Sequence, residues 1–201
     1  LFDLELEQMD AITAFLNGVQ TGNAIYVELP FGFGEDGKVG LLLKGMYGLK
    51  QSPRLWQETL CAELWKLGFH PMIADSSVFI TDAGVKGIII AVHVDDFLIA
   101  GPNIKEINVF KNRLSRAFAM KDLGHCETFL NVEITQDWKK QQIHLSQAHY
   151  AKKLLVAFGL KDTKPIWSPI DISVLNQMVP YNRQASLDEI EQYRCGTGSI
   201  N

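Results

Sequence analysis

Two adjacent carboxylates, Asp95 and Asp96, stand between short apolar arms at 88–92 and 97–100, punctuated by Gly87 and Gly101. Each arm is too short for a stable helix, which predicts two strands joined by a tight turn with the Asp pair at its tip. Hairpin tips suit Asp for backbone reasons alone. Two carboxylates on a stiff hairpin are also the chemistry that holds divalent metal for phosphoryl transfer. A third carboxylate and a phosphate-handling segment decide between these readings.

Asp10 is the candidate third carboxylate. Phe2, Leu4 and Leu6 alternate with Asp3, Glu5 and Glu7, the period of a half-buried strand. Asp10 lies where that strand is expected to end, so its side chain can project past the sheet edge toward a neighbouring hairpin tip. Two ions about 3.5–4 Å apart need shared oxygen ligands, and three Asp from adjacent strands can supply them. A strand-end Asp also serves as a cap or turn residue. The segment Tyr47-Gly48-Leu49-Lys50-Gln51-Ser52-Pro53-Arg54 leads into a helix. Gly48 permits a close backbone approach, and Lys50 and Arg54 place positive charge near the positively polarised helix start, where a phosphate could sit. The same residues also make an ordinary loop before a capped helix.

The surrounding pattern supplies elements to position these groups. Positions 13–18 read as a helical turn closed by Asn17-Gly18, 24–29 and 39–43 as strands, and 31–38 as a loop with three Gly. Ser52 is expected to cap a helix with Pro53 in its first turn, Trp56, Leu60, Leu64 and Leu67 on one face, Trp65 also at core spacing, and Gly68 as the stop. A strand at 77–81 precedes the Asp-Asp hairpin, and Asp75 reads as turn chemistry. Ile104, Ile107, Phe110, Leu114 and Phe118 mark a second amphipathic helix, with Lys105, Lys111, Arg113 and Arg116 among its polar residues. A second hairpin is expected from 129–135 and 141–145 around a turn at 137–140, where Trp138 reads as a surface residue or a base-stacking one. Ser146 then caps a helix with Tyr150, Leu154, Leu155 and Phe158 inward and Lys152 and Lys153 outward. An extended connector at 161–180 and a helix beginning near 187–193 complete the chain. Strands and helices interleave without βαβ regularity, which predicts an α+β fold.

Composition narrows the class. The 201 residues suit one large domain or a domain with an appendage, and 47% hydrophobic with 21% charged residues is ordinary for a folded chain. The net charge of −4 argues against a generic nucleic-acid coat. Residues 1–100 hold 6 Lys+Arg against 13 Asp+Glu, and residues 101–201 hold 13 against 10, so an acidic half precedes a basic one. Cys61, Cys126 and Cys195 are far apart, neither a disulfide framework nor a zinc site. His70, His125, His144 and His149 show no metal-ligand spacing. No apolar run reaches membrane length and no signal-peptide pattern opens the chain. The chain starts without Met in mid-pattern, which predicts a piece of something longer.

DAITAFLNG, YGLKQSPRLW and VDDFLIAG, in this order, resemble the reverse transcriptase of copia-type LTR retrotransposons. IYVELPFGF, LKGMYGLKQSPRLW, ADSSVFI, AFAMKDLG, FLNVEI, IHLSQAHYAKKLL and YRCGTGSI follow the family's order, so the resemblance runs almost end to end. It implies an α+β palm, an antiparallel sheet with packed helices, plus a small helical thumb, with the fingers largely missing. The implied divisions are a palm at 1–126, a primer-grip hairpin and thumb helix at 127–160, and a connector toward a missing RNase H region at 161–201. Asp10, Asp95 and Asp96 match the family's catalytic, metal-binding carboxylates, with the Ala11 carbonyl as a further ligand. Phe15 matches the bulky residue that disfavours a ribose 2′-hydroxyl. Gly48, Lys50, Gln51 and Arg54 match the nucleotide and template side, and Lys121 the segment of a general acid for pyrophosphate. Phe129 and Leu130, with Asn131, match the primer grip, and Lys152 and Lys153 the thumb.

The implied cofactors are two Mg²⁺ ions, with Mn²⁺ as a substitute. The implied partners are an RNA template, a DNA primer or hybrid duplex, deoxynucleoside triphosphates, and the fingers, RNase H and integrase parts of the same polyprotein, with no membrane. An intracellular setting follows, a cytoplasmic virus-like particle or the nucleus. Three departures stand out: His93 where Tyr precedes Val-Asp-Asp, Asn131 where Gly is usual, and the start just before Asp10. The resemblance implies RNA-directed DNA polymerisation by two-metal nucleotidyl transfer, poor for this stretch alone. An inactive remnant that only binds nucleic acid, and a two-metal nuclease, are the alternatives.

Overall fold

Buried apolar residues at Leu6, Met9 and Ala11 begin the architecture, in a strand that becomes interior to the main sheet. The computed structural model describes residues 3–34, 37–164, 174, 177 and 183–200. The expected connector lies outside the described residues over 165–180 except at 174 and 177. The elements in order are β1 (Glu5–Ala11), α1 (Ala14–Asn17), β2 (Tyr26–Glu28), β3 (Val39–Leu41), α2 (Ser52–Lys66), β4 (His70–Pro71) and β5 (Val78–Ile80). After a 3₁₀ turn at Gly84–Lys86 come β6 (Ile89–His93), β7 (Asp96–Gly101), α3 (Ile104–Ala117), β8 (Met120–His125), β9 (Thr128–Phe129), β10 (Val132–Asp137) and β11 (Gln142–Ser146). Helices α4 (Ala148–Ala157) and α5 (Leu187–Ile200) follow. The fold is α+β with antiparallel sheets. The chain forms two compact units, Leu1–Leu145 and Ser146–Asn201.

The first unit is built on a six-stranded sheet of order β4-β5-β6-β7-β1-β8, with a three-stranded sheet β11-β10-β9 and the β2-β3 hairpin beside it. Directly opposed residues of antiparallel strands point to the same face. Met9 opposes Phe97, Phe97 opposes Val92, and Ile99 opposes Ile90, which opposes Phe79. All of these are buried, in one cluster with Trp56, Leu60 and Leu64 of α2 and Ile107, Phe110 and Leu114 of α3. The sheet is therefore apolar on the face its helices cover. Each such side chain contributes about 1.5–3 kcal/mol of burial.

Three of the sequence expectations are corrected within α2 and α3. Ser52 is not the cap of α2; Gln51 precedes the helix and Ser52 is its first residue, fully buried. Its hydroxyl donates to the Met46 carbonyl at 2.6 Å and accepts from the Met46 amide at 2.9 Å, tying the preceding loop to the helix. Trp65 is 56% exposed and meets His70 edge-on at 4.5 Å, because it lies one residue, some 100° of turn, beyond the Leu64 stripe. Lys111 is buried rather than solvated, and its ammonium donates to both Glu7 of β1 and Asp122 of β8. Burial works to raise the Asp122 carboxyl, but hydrogen bonds from Lys111 and the Gly124 amide, and the Lys111 charge, hold it below its ordinary range.

Two glycines of the opening motifs are there for close approach. A Cβ on Gly18 would lie 2.7 Å from the Trp56 amide nitrogen, and one on Gly45 would lie 2.5 Å from the Phe15 carbonyl oxygen. The Gly45 amide donates to the Gly18 carbonyl at 2.8 Å, so α1 sits directly on the start of α2. Asp75 is turn chemistry, accepting from the Ser77 amide at 2.8 Å. In the second unit, Leu155 of α4 and Phe158 just after it are exposed, and Tyr150 and Leu154 are half-buried, so the expected inward face is only partly covered there. No helix among the described residues is long and apolar enough to cross a membrane.

Candidate active site

The open face of the sheet is where the charged residues collect. Asp10 is the second-last residue of β1, near the strand end where it was expected, and β8 pairs along the other edge of the strand through Ala11. The stretch Met120–His125, MKDLGH, lacks apolar alternation, so this strand left no sequence signal. Register then aligns four strands in a row: His93 opposes Asp96, Asp96 opposes Asp10, and Asp10 opposes Lys121. Parity puts all four side chains on the face opposite Met9, Phe97 and Val92. Lys121 is thus a strand residue directly across from a carboxylate.

Asp95 joins this row from the turn. The β6–β7 connection has two residues, Val94 and Asp95, and Val94 carries a φ of 58°, a left-handed conformation that is strained for a β-branched side chain. The Asp95 carbonyl accepts from the Ala11 amide at 2.7 Å, which docks the turn against the end of β1. The Val94 carbonyl accepts from the Trp56 indole N–H at 2.6 Å. The expected placement of both Asp at the tip is corrected by one position: Asp95 is in the turn and Asp96 is the first residue of β7.

The carboxylates feel one another. Burial, then the charges of Asp95 and Asp10, push the Asp96 carboxyl above its ordinary range, against the opposing pull of His93 and a hydrogen bond from Gln8. Gln8, two residues before Asp10 on the same strand, is a site neighbour that the sequence reading missed; strand parity could have found it.

Among the described residues, no group of three or more His, Cys, Asp or Glu forms a ready-made metal cage. The donor chemistry nevertheless fits a hard divalent cation. Mg²⁺ binds through one or two carboxylates and completes its shell with water and substrate phosphate rather than with protein. Asp10, Asp95 and Asp96 are the groups that would hold it. Their mutual repulsion is the electrostatic condition a cation relieves.

The other sequence candidates fall into three places. Phe15 of α1 is half-buried and its ring meets Tyr47 at 5.0 Å, joining two of the opening motifs. Gly48 has a φ of 91° in the loop before α2, with Lys50 and Arg54 exposed, Gln51 half-buried, and Arg54 3.6 Å from Glu58. Phe129 ends β9, and Leu130 and Asn131, with φ of 49° and 63°, form the tight turn into β10. Asn tolerates this conformation better than most residues. Lys152 and Lys153 are exposed on α4, in the second unit.

Residues 3–172 match the family model described as reverse transcriptase (RNA-dependent DNA polymerase). The chain is 36% identical over 172 residues to the retrovirus-related Pol polyprotein from transposon TNT 1-94 of Nicotiana tabacum, covering 84% of this chain and 13% of that protein. It is 32% identical over 198 residues to the retrovirus-related Pol polyprotein from transposon RE2 of Arabidopsis thaliana, covering 97% of this chain and 13% of that protein. A transposon Ty5-1 protein of Saccharomyces cerevisiae is 38% identical over 148 residues, 72% of this chain and 47% of that protein. The chain thus spans about an eighth of the length of the plant relatives it matches.

Proposed function

This chain belongs to the reverse transcriptase (RNA-dependent DNA polymerase) family, as a reverse transcriptase domain of the retrotransposon Pol polyprotein kind, and on that premise we propose that its open sheet face performs template-directed nucleotidyl transfer. The observation that carries this reading is the row His93–Asp96–Asp10–Lys121 with Asp95 in the adjoining turn. In this reading the six-stranded sheet with α2 and α3 is the palm, β9 and β10 the primer grip, and α4 the thumb. Bound at Asp10, Asp95 and Asp96, divalent ions, Mg²⁺ or Mn²⁺, supply positive charge for activating a primer 3′-hydroxyl and steadying a triphosphate.

The protein's own groups do the positioning. Phe15, held by Tyr47, fills the space a ribose 2′-hydroxyl would need and so selects deoxynucleotides. Lys50, Gln51 and Arg54 contact nucleotide or template phosphates beside the start of α2, and Gly48 leaves that approach open. Lys121 stands one strand from Asp10, where an ammonium can hand a proton to departing pyrophosphate. The β9–β10 turn with Phe129 and Leu130 presses on the primer end, with His93 beside it, and Lys152 and Lys153 meet duplex phosphates. The substrates are an RNA or DNA template with a DNA primer and deoxynucleoside triphosphates, and the RNase H and integrase portions of a Pol polyprotein are the expected partners. The setting is intracellular, in a virus-like particle or the nucleus.

Primer extension on a labelled RNA–DNA hybrid tests this. Asp10→Asn and Asp95→Asn should each lower Mg²⁺-dependent extension about a hundredfold or more, the several kcal/mol a bound ion contributes. Salt-sensitive binding of the hybrid with no extension by the unaltered chain would instead identify a nucleic-acid-binding module.

A further inference from the structure

We propose that Trp56 is a positioning residue for the Asp95 turn: its indole N–H holds the Val94 carbonyl and thereby fixes where the turn carboxylate stands relative to Asp10. The inference rests on the nucleotidyl-transfer reading above and deepens it. Three observations carry it. First, the Val94 φ of 58° is what a two-residue hairpin loop asks of its first position, and it is strained for a β-branched residue, so the turn gains from a contact that holds it. Val94 is 42% exposed, so packing of its own side chain does not impose it. Second, the described hydrogen bonds to this two-residue turn's carbonyls come from one donor each: the Ala11 amide to Asp95 at 2.7 Å and the Trp56 indole to Val94 at 2.6 Å. Third, the indole is an unusually rigid donor. Trp56 is 2% exposed, its ring meets Phe118 edge-on at 5.0 Å, and Gly18 lies so near its backbone nitrogen that an added Cβ would stand 2.7 Å from it.

The chemistry of the choice is specific. The apolar stripe of α2 needs only a large ring at this position, and Phe would fill most of it. An indole adds a single donor, and a buried indole N–H needs a partner. Here that partner is the carbonyl immediately before Asp95. Rotation of that peptide would move the Asp95 backbone and with it the carboxylate, while Asp10 and Asp96 stay fixed by the β1–β7 ladder. Loss of the N–H should therefore loosen one ligand of three without disturbing the sheet.

Mn²⁺ titration of this chain followed by electron paramagnetic resonance tests the proposal without relying on turnover. Trp56→Phe is the informative variant, with Leu60→Val as a core change on the same helix stripe and Asp10→Asn as the reporter of the site. Thermal unfolding establishes that all three fold. We expect Trp56→Phe to weaken the Mn²⁺ midpoint five- to tenfold and Leu60→Val to leave it within twofold. Where extension is measured, kcat should fall with little change in KM for the hybrid. A Trp56→Phe midpoint equal to the unaltered chain's, or an equal shift in Leu60→Val, overturns the positioning role while the function stands. Mn²⁺ binding that is absent, or indifferent to Asp10→Asn, overturns the functional reading, and this proposal with it.

Discussion

Asp96 stands at the residue scale as a carboxylate kept where its charge is least comfortable. Burial and the charges of Asp95 and Asp10 raise its carboxyl above the ordinary range. The sign of the linkage follows. The folded protein binds this proton at higher pH than the unfolded chain, so the ionised form opposes folding at neutral pH. Stability should therefore rise as pH falls through the folded value, toward the unfolded carboxylate range near about 4. In metal-free protein, Asp96→Asn should raise the melting temperature at neutral pH and remove this slope, read from thermal unfolding in EDTA between pH 4 and 7. The same variant should gain less stability from added Mn²⁺ than the unaltered chain. The chemical identity of these residues was legible in VDDFLIAG and QMDAITAF. Their alignment was not, because it depends on the β1–β7 register, and a one-residue slip would send Asp10 to the other face.

At the scale of elements, Lys111 ties a helix to two strands. Its ammonium bridges Glu7 of β1 and Asp122 of β8 from a buried position on α3. Removing one partner of a buried ion pair leaves an uncompensated charge, so Lys111→Ala should cost about 3 kcal/mol in urea unfolding. Lys105→Ala, exposed on the same helix, should change stability by less than about 0.5 kcal/mol. The amphipathic pattern of α3 was plain in Ile107, Phe110 and Leu114, but it placed Lys111 among the polar residues. Position 111 follows Phe110 and borders the buried stripe, and only the arrival of β1 and β8 beneath it supplies two carboxylates. The same cause hid β8. Its residues show no apolar alternation, because Asp122 stands on the covered face where an apolar residue would mark the strand.

On the scale of the whole molecule, charge separates between the two units. The first unit carries the carboxylate row, and the second carries exposed Lys152 and Lys153 on a helix with no buried residue. A chain of net charge −4 that binds nucleic acid must do so through local cationic patches. Lys152→Ala and Lys153→Ala should each weaken hybrid binding uniformly across sequences. Each should reduce the slope of log K against log salt by about 0.7–0.9, the value for one released phosphate contact. Fluorescence anisotropy between 50 and 200 mM salt, on the order of the range where this effect is steep, reads both.

From its residues alone the chain declared its α+β class, its principal helices, the strands flanking the Asp pair and the family whose motifs it carries. Those features are local: periodicity, Gly and Pro punctuation, and side-chain chemistry are written within a dozen positions. Tertiary structure alone decided that the strand of Asp10 lies between β7 and β8, that Lys121 faces Asp10, that Lys111 is buried, and that Trp56 reaches the carbonyl before Asp95. Trp56 and Val94 are 38 residues apart and Lys111 and Glu7 are 104 apart, far beyond the reach of a local pattern. A periodic pattern tells which face of an element is apolar, but not which neighbour that face or edge will meet.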